Sequence, residues 1–203
     1  MNTYEAILAR RSIRDYKPDP IPGEVLDRLL EAMRQAPSGK NAQPWKFIVI
    51  EDQKIKRQVA EACTFFTGSG REIRQDWIAT APIIIVVCGD PKEAFVKIVR
   101  DGRVLIVKWD QLQQELLQGP LEWESGLLTD LTIPLAHLSL AAVNEGLGTC
   151  WVAGLDEEKV KKILGIPIDW RAPALMPVGY PLELPDPRRR KEKEDLVCLD
   201  HFQ

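Results

Sequence analysis

The chain has 203 residues, 45% of them hydrophobic and 28% charged, with a net charge of −3. This is the composition of one globular domain with its own core, not of a disordered segment. The small acidic excess excludes a general nucleic-acid or membrane-surface binder, which needs a basic surplus to neutralise phosphates.

The elements follow in chain order. Tyr4, Ile7 and Leu8 recur at helical spacing, with Asn2 or Thr3 as N-cap. Extended chain is expected through Pro18, Pro20 and Pro22. A second helix carries Val25, Leu26, Leu29, Leu30 and Met33 on one face and ends before Pro37. Lys46 to Ile50 reads as a strand, and Ile55, Val59, Ala62, Cys63 and Phe66 as a helix. Ile83 to Cys88 is the longest unbroken apolar run. It is far shorter than the roughly 20 residues of a bilayer span and reads as a strand buried on both faces.

In the stretch from Asp90 to Glu124, Phe95, Ile98 and Val99 are helical in spacing, and Leu105 to Val107 fits either a strand or a helix. This stretch reads as an excursion from the core that covers a site or packs on a partner. Its aromatic residues Phe95, Trp109 and Trp123 read as core or as rings stacked over a cofactor. Leu127 to Glu145 is a long apolar helix, which Pro134 either kinks or starts. Thr149 to Ala153 is strand-like. Asp156 caps a short helix that Gly165 ends, and Ala174 to Tyr180 is the last strand. No repeat or low-complexity linker divides the chain, so residues 1–203 form one domain; helices and strands mix, so the class is α+β or α/β.

Met1 to Glu5 shows no basic segment leading into an apolar one, so the chain reads as cytoplasmic. The four cysteines, Cys63, Cys88, Cys150 and Cys198, lie far apart in apolar stretches and read as reduced. Neither His137 nor His201 has a second ligand at metal-binding spacing, so no metal site is expected.

Four clusters are rich enough to carry chemistry. Arg10-Arg11-Ser12-Ile13-Arg14 groups three guanidiniums and a hydroxyl, a set that grips phosphate and also suits a helix C-terminus. Pro37-Ser38-Gly39-Lys40-Asn41-Ala42-Gln43-Pro44-Trp45 offers small and amide donors for a planar heteroaromatic edge, and it also fits an ordinary loop. Gly146-Leu147-Gly148-Thr149-Cys150-Trp151-Val152-Ala153-Gly154 reads alone as a buried strand with glycine ends. Pro187-Arg188-Arg189-Arg190-Lys191 reads alone as a solvated basic run, balanced by Glu192, Glu194 and Asp195.

In this order, and with Pro177-Val178-Gly179-Tyr180-Pro181 before the last cluster, the four motifs resemble the FMN-dependent nitroreductase family. The resemblance runs from about Tyr4 to Phe202 and is weakest over Asp90–Glu124. It implies a mixed sheet flanked by helices and an intertwined homodimer with FMN at the subunit interface. It assigns Arg10, Arg11, Ser12 and Arg14 to the ribityl phosphate and the pyrimidine side of the flavin. Arg188 and Arg190 would complete the phosphate grip, although Glu192 follows where the family usually continues with Pro-Leu. Pro37, Ser38, Asn41 and Gln43 match the loop that reaches the flavin from the partner subunit. Trp151, Val152, Ala153 and Gly154 match the segment whose backbone passes the isoalloxazine, and Ala153 stands where one branch carries Glu.

The implied activity is electron transfer from NAD(P)H to nitroaromatic, quinone or similar electron-poor acceptors, with ping-pong kinetics. The flavin carries the chemistry and no catalytic side chain is named. The rival readings are a specialised member that fragments a flavin, dehalogenates or oxidises a ring, and a non-catalytic flavin-binding redox module.

Overall fold

The computed structural model describes residues 1–100, 103–109, 111–112 and 122–202. The described helices are α1 (Thr3–Ala9), α2 (Gly23–Arg34), α3 (Gln53–Ala62), α4 (Leu127–Asn144) and α5 (Glu157–Leu164). The described strands are β1 (Trp45–Ile50), β2 (Phe65–Phe66), β3 (Glu72–Ile73), β4 (Ile83–Gly89), β5 (Phe95–Arg100), β6 (Arg103–Lys108), β7 (Glu122–Ser125), β8 (Gly148–Thr149) and β9 (Arg171–Gly179). The fold is α+β, as expected.

The main sheet has the order β1-β4-β9-β8, with each neighbouring pair antiparallel. A parallel bridge between Ser12 and Thr149 makes it mixed at one edge. Side chains of β4 alternate across the sheet, as the two-residue period of a strand requires. Ile83, Ile85 and Val87 pack with Leu29 and Met33 of α2 and with Leu131, Leu135 and Leu138 of α4. Ile84, Val86 and Cys88 pack with Val59 and Ala60 of α3 and Val160 of α5. The continuous apolar run is therefore explained by helices on both faces, and each such buried side chain contributes about 1.5–3 kcal/mol.

Local signals cap α1 and α5 where the sequence places them. Asn2 and Glu5 form a reciprocal capping box at α1. Asp156 accepts from the Lys159 amide at 3.1 Å at the start of α5, and Gly165 ends it at φ 68°. α4 runs through Pro134 without a break. Pro134 is buried within it, and Leu131, Leu135 and Leu138 of the same helix pack into the core.

Four expectations need correction. Phe66 lies in β2, because α3 stops at Ala62. Phe95 to Val99 is strand and not helix: Val96 and Ile98 are buried while Val99 is exposed, a period of two. Thr149 to Ala153 is not one strand, since β8 holds only Gly148 and Thr149 and Val152 makes an isolated bridge to Leu175. The last strand starts earlier than Ala174, at Arg171. β2 and β3 pair as a short antiparallel ribbon, and the excursion forms a separate antiparallel sheet of order β6-β5-β7, with Val96, Ile98 and Leu112 as its small core.

Candidate functional site

Past α1 the chain is extended and lies along the sheet edge. The Ile13 amide donates to the Thr149 carbonyl at 2.9 Å. The Ile13 side chain occupies the space that a Cβ at Gly148 would need, so only glycine there lets the segment come this close. Ile13 and Tyr16 are buried with Ala81, and the Tyr16 hydroxyl donates to the Ile13 carbonyl at 2.7 Å. Burial pushes the Tyr16 phenol up, so it stays a neutral donor. With Ile13 turned inward, Ser12 and Arg14 stay exposed.

The chain leaving β9 returns to the same edge. The Lys17 amide donates to the Tyr180 carbonyl at 2.8 Å, and the Leu182 amide to the Asp15 carbonyl at 2.9 Å. The result is a cleft of about 250 Å³ lined by Arg10, Arg11, Ser12, Arg14, Pro185, Asp186, Arg188 and Arg190. Five guanidiniums from opposite ends of the chain share it, and Asp186 is the one carboxylate among the lining residues. Arg189 does not line this cleft; it lines a neighbouring depression with Arg190, Lys191, Glu192 and Asp195.

Arg11 also does what a helix C-terminus asks of a cation. It donates to the Leu8 carbonyl at 2.6 Å and to the Arg10 carbonyl at 2.8 Å. Arg14 lies with its Cζ 5.7 Å from the centre of the Trp77 ring. Beside the cleft, burial raises the Cys150 thiol above its ordinary value. The pull of Arg14, the Ser12 hydroxyl and Arg10 in the other direction is weaker, so Cys150 stays a thiol.

The segment after β8 is pinned at alternate residues. Val152 exchanges backbone hydrogen bonds of 3.0 and 2.9 Å with Leu175, while Trp151, Ala153 and Gly154 remain exposed. The Gly154 carbonyl accepts from Gln75 Nε2 at 3.0 Å, and Phe65 packs close to its Cα.

The loop of Pro37, Ser38, Asn41 and Gln43 lines no part of the arginine cleft. Lys40, Asn41 and Gln43 hold left-handed φ values of 49°, 58° and 50°. Strain of this kind persists where surrounding contacts fix it. Here the Gln43 amide donates to Ser38 Oγ at 2.9 Å and the Gly39 amide to Asp130 Oδ1 at 3.2 Å. Lys40 Nζ sits 5.0 Å from the centre of the Phe95 ring. Asp130 is buried on α4, and burial raises its carboxyl.

The sequence model of the nitroreductase family matches residues 7–180. The chain belongs to the nitroreductase family. It is 32% identical over 204 residues to an NADH dehydrogenase of Thermus thermophilus, covering 95% of this chain and 93% of that protein. It is 26% identical over 199 residues to an iodotyrosine deiodinase of Thermotoga neapolitana, covering 96% and 95%. A nitroreductase family protein of Clostridium novyi superposes with a TM-score of 0.70 at 30% identity, covering 92% of this chain and 89% of that one.

In this member of the family the structure brings Arg10, Arg11, Ser12, Arg14, Arg188 and Arg190 together. It holds Trp151–Gly154 in an adjoining segment and leaves Pro37, Ser38, Asn41 and Gln43 apart. Phe95 lies under Lys40, and Trp109 packs beside the Val96–Ile98 cluster. The Trp123 side chain lies outside the described residues. Sequence reasoning missed Trp77, Gln75 and Asp130. Each meets its partner only through the tertiary fold, so no local spacing marks it. Asp186 was within reach, as it stands two residues before Arg188.

Proposed function

We propose that this member of the family is an FMN-dependent oxidoreductase. In this reading it passes electrons from NAD(P)H to nitroaromatic, quinone or similar electron-poor acceptors, and it works as a homodimer. Family membership makes the chain an oxidoreductase. The observation that carries the finer reading is the cleft. Five like charges with one carboxylate among them repel unless a polyanion joins them, and guanidinium forks with a hydroxyl suit a phosphate dianion.

Arg10, Arg14, Arg188 and Arg190 would hold the phosphate with Ser12, while Arg11 shares its donors with the end of α1. The exposed side of Trp151–Gly154 would line the ring, and its pinned backbone would fix that ring's distance from the sheet. When bound, FMN supplies the two-electron chemistry between donor and acceptor. The relative named an NADH dehydrogenase supports a nicotinamide donor.

Two features support the homodimer. Tyr4, Ile7 and Leu8 of α1 face outward, as do Leu196, Val197, Leu199 and Phe202. So much apolar surface is characteristic of an interface. The Ser38–Gln43 loop, rigid and away from its own chain's cleft, would complete the partner's site.

The test is the visible spectrum of the purified protein, followed by titration with NADH or NADPH and then a nitroaromatic. A flavin spectrum that bleaches and then returns, with parallel double-reciprocal lines in steady state, is the expected result. A protein that neither carries nor binds FMN overturns the reading, and FMN binding without turnover favours the redox module. A dehalogenating role is the second reading, favoured by the relative named an iodotyrosine deiodinase. Faster turnover of a halotyrosine than of any nitroaromatic would select it.

A further inference from the structure

Most arginines whose partners are visible in this fold spend their N–H groups on carboxylates. Arg28 is bidentate to Glu145, Arg34 to Glu31, Arg74 to Asp76 and Arg171 to Glu157. Arg14 is held differently. No described carboxylate pairs with it, and its guanidinium lies over the Trp77 ring at 5.7 Å. A cation–π contact draws on the charge of the guanidinium and does not itself use up an N–H donor. The contact therefore restricts an otherwise free, exposed side chain without consuming the groups a ligand needs.

Trp77 is built to stay in place. It belongs to the 3-10 turn Asp76–Thr80, where the Thr80 hydroxyl donates to the Trp77 carbonyl at 2.7 Å. Its ring packs against the Ile13, Tyr16 and Ala81 cluster, the same cluster that fixes the backbone on either side of Arg14. Backbone and guanidinium of Arg14 are thus anchored on one small core.

We infer that Trp77 is the positioning residue that pre-sets Arg14 for an anionic ligand in the cleft. This rests on the FMN reading above. Trp77 acts through Arg14 alone, and its contribution appears as cofactor affinity. A cation–π contact that becomes desolvated on binding is worth about 2- to 30-fold in an equilibrium constant.

The experiment is a double-mutant cycle on the full chain, read by the quenching of FMN fluorescence on titration. Trp77→Leu weakens FMN binding by about 5- to 20-fold, and Trp77→Phe, which keeps an aromatic face, retains most of the affinity. In the Arg14→Gln background, Trp77→Leu has no further effect. Where Trp77→Leu does not fold, Trp77→Met carries the same cycle. An equal loss in both backgrounds would mean that Trp77 only supports the fold, and would overturn the inference, as would no loss in either. If Arg14→Gln itself leaves FMN affinity unchanged, the FMN reading of the cleft fails first and takes this inference with it.

Discussion

The two larger sheets among the described residues are alike in composition and pairing but differ in cover. β4 is buried along its whole length because α2 and α4 lie on one face and α3 and α5 on the other. The β6-β5-β7 sheet buries Val96 and Ile98 on one face against Leu112, with Val107 and Trp109 at the margin. Its other face leaves Val99, Val104 and Ile106 36%, 60% and 48% exposed. Val and Ile favour a strand in both places, so propensity alone does not separate them. What separates them is whether helices arrive to remove the side chains from water. The small sheet hangs from the core at its base, where the Gly126 amide donates to the Phe95 carbonyl at 3.1 Å and Lys40 covers the Phe95 ring.

The largest effect is expected in the covered sheet. Ile85 is fully buried and touches the helices on its face of β4. Ile85→Ala leaves a cavity that rigid neighbours on both sides cannot close, and costs about 2–5 kcal/mol. Urea unfolding monitored by far-ultraviolet circular dichroism measures it. A loss under about 1 kcal/mol would mean that the main sheet is no better packed than the small one.

Ile98 is also fully buried, but in a cluster of few members. Ile98→Ala is expected to cost about 2 kcal/mol, the low end of the range, because a thinly covered site collapses more easily. The cluster shares no residue with the arginine cleft. Amide exchange in β5 and β6 should quicken while FMN affinity stays constant. Equal acceleration of exchange in β4 would show that the two sheets open as one unit and that the comparison fails.

The same contrast explains what the sequence reveals. The core was legible because Ile83 to Cys88 is too short for a helix and bounded by Pro82 and Gly89, because α2 carries a clear apolar face, and because α5 has Asp156 and Gly165 at its ends. The excursion was misread at Phe95–Val99, where apolar residues at 95, 98 and 99 match a helical period by coincidence. The corrective signal was Asp101-Gly102 between two Val- and Ile-rich runs, a strong hairpin signature. In the candidate site, the arginine clusters were legible as motifs. Trp77 and Asp130 were not legible, since an aromatic face beneath Arg14 and a carboxylate beneath Gly39 exist only once distant segments meet.

The smallest effect concerns the rim of the covered sheet and its response to acid. Glu157, at the start of α5, accepts from the Ala172 amide at 2.7 Å and from Arg171 Nε at 2.9 Å, tying the helix to β9. Burial alone would raise its carboxyl, but the Arg171 guanidinium and the Ala172 amide more than offset this and hold it below the ordinary value of 4.5. A carboxylate whose folded value lies below its unfolded one binds fewer protons when folded. Its contribution is complete above the unfolded value and disappears as pH falls through the folded one. Glu157→Gln keeps an acceptor for Ala172 but loses the charge. It is expected to cost about 1 kcal/mol at pH 7, because Arg171 is half-exposed and screened by solvent. The gap to the parent chain should narrow steadily below about pH 4.5. Urea midpoints for the two chains at pH 7, 5 and 3 provide the measurement. A gap that stays constant down to pH 3 would show that Glu157 holds β9 through shape alone, and that the charge contributes nothing to the rim of the main sheet.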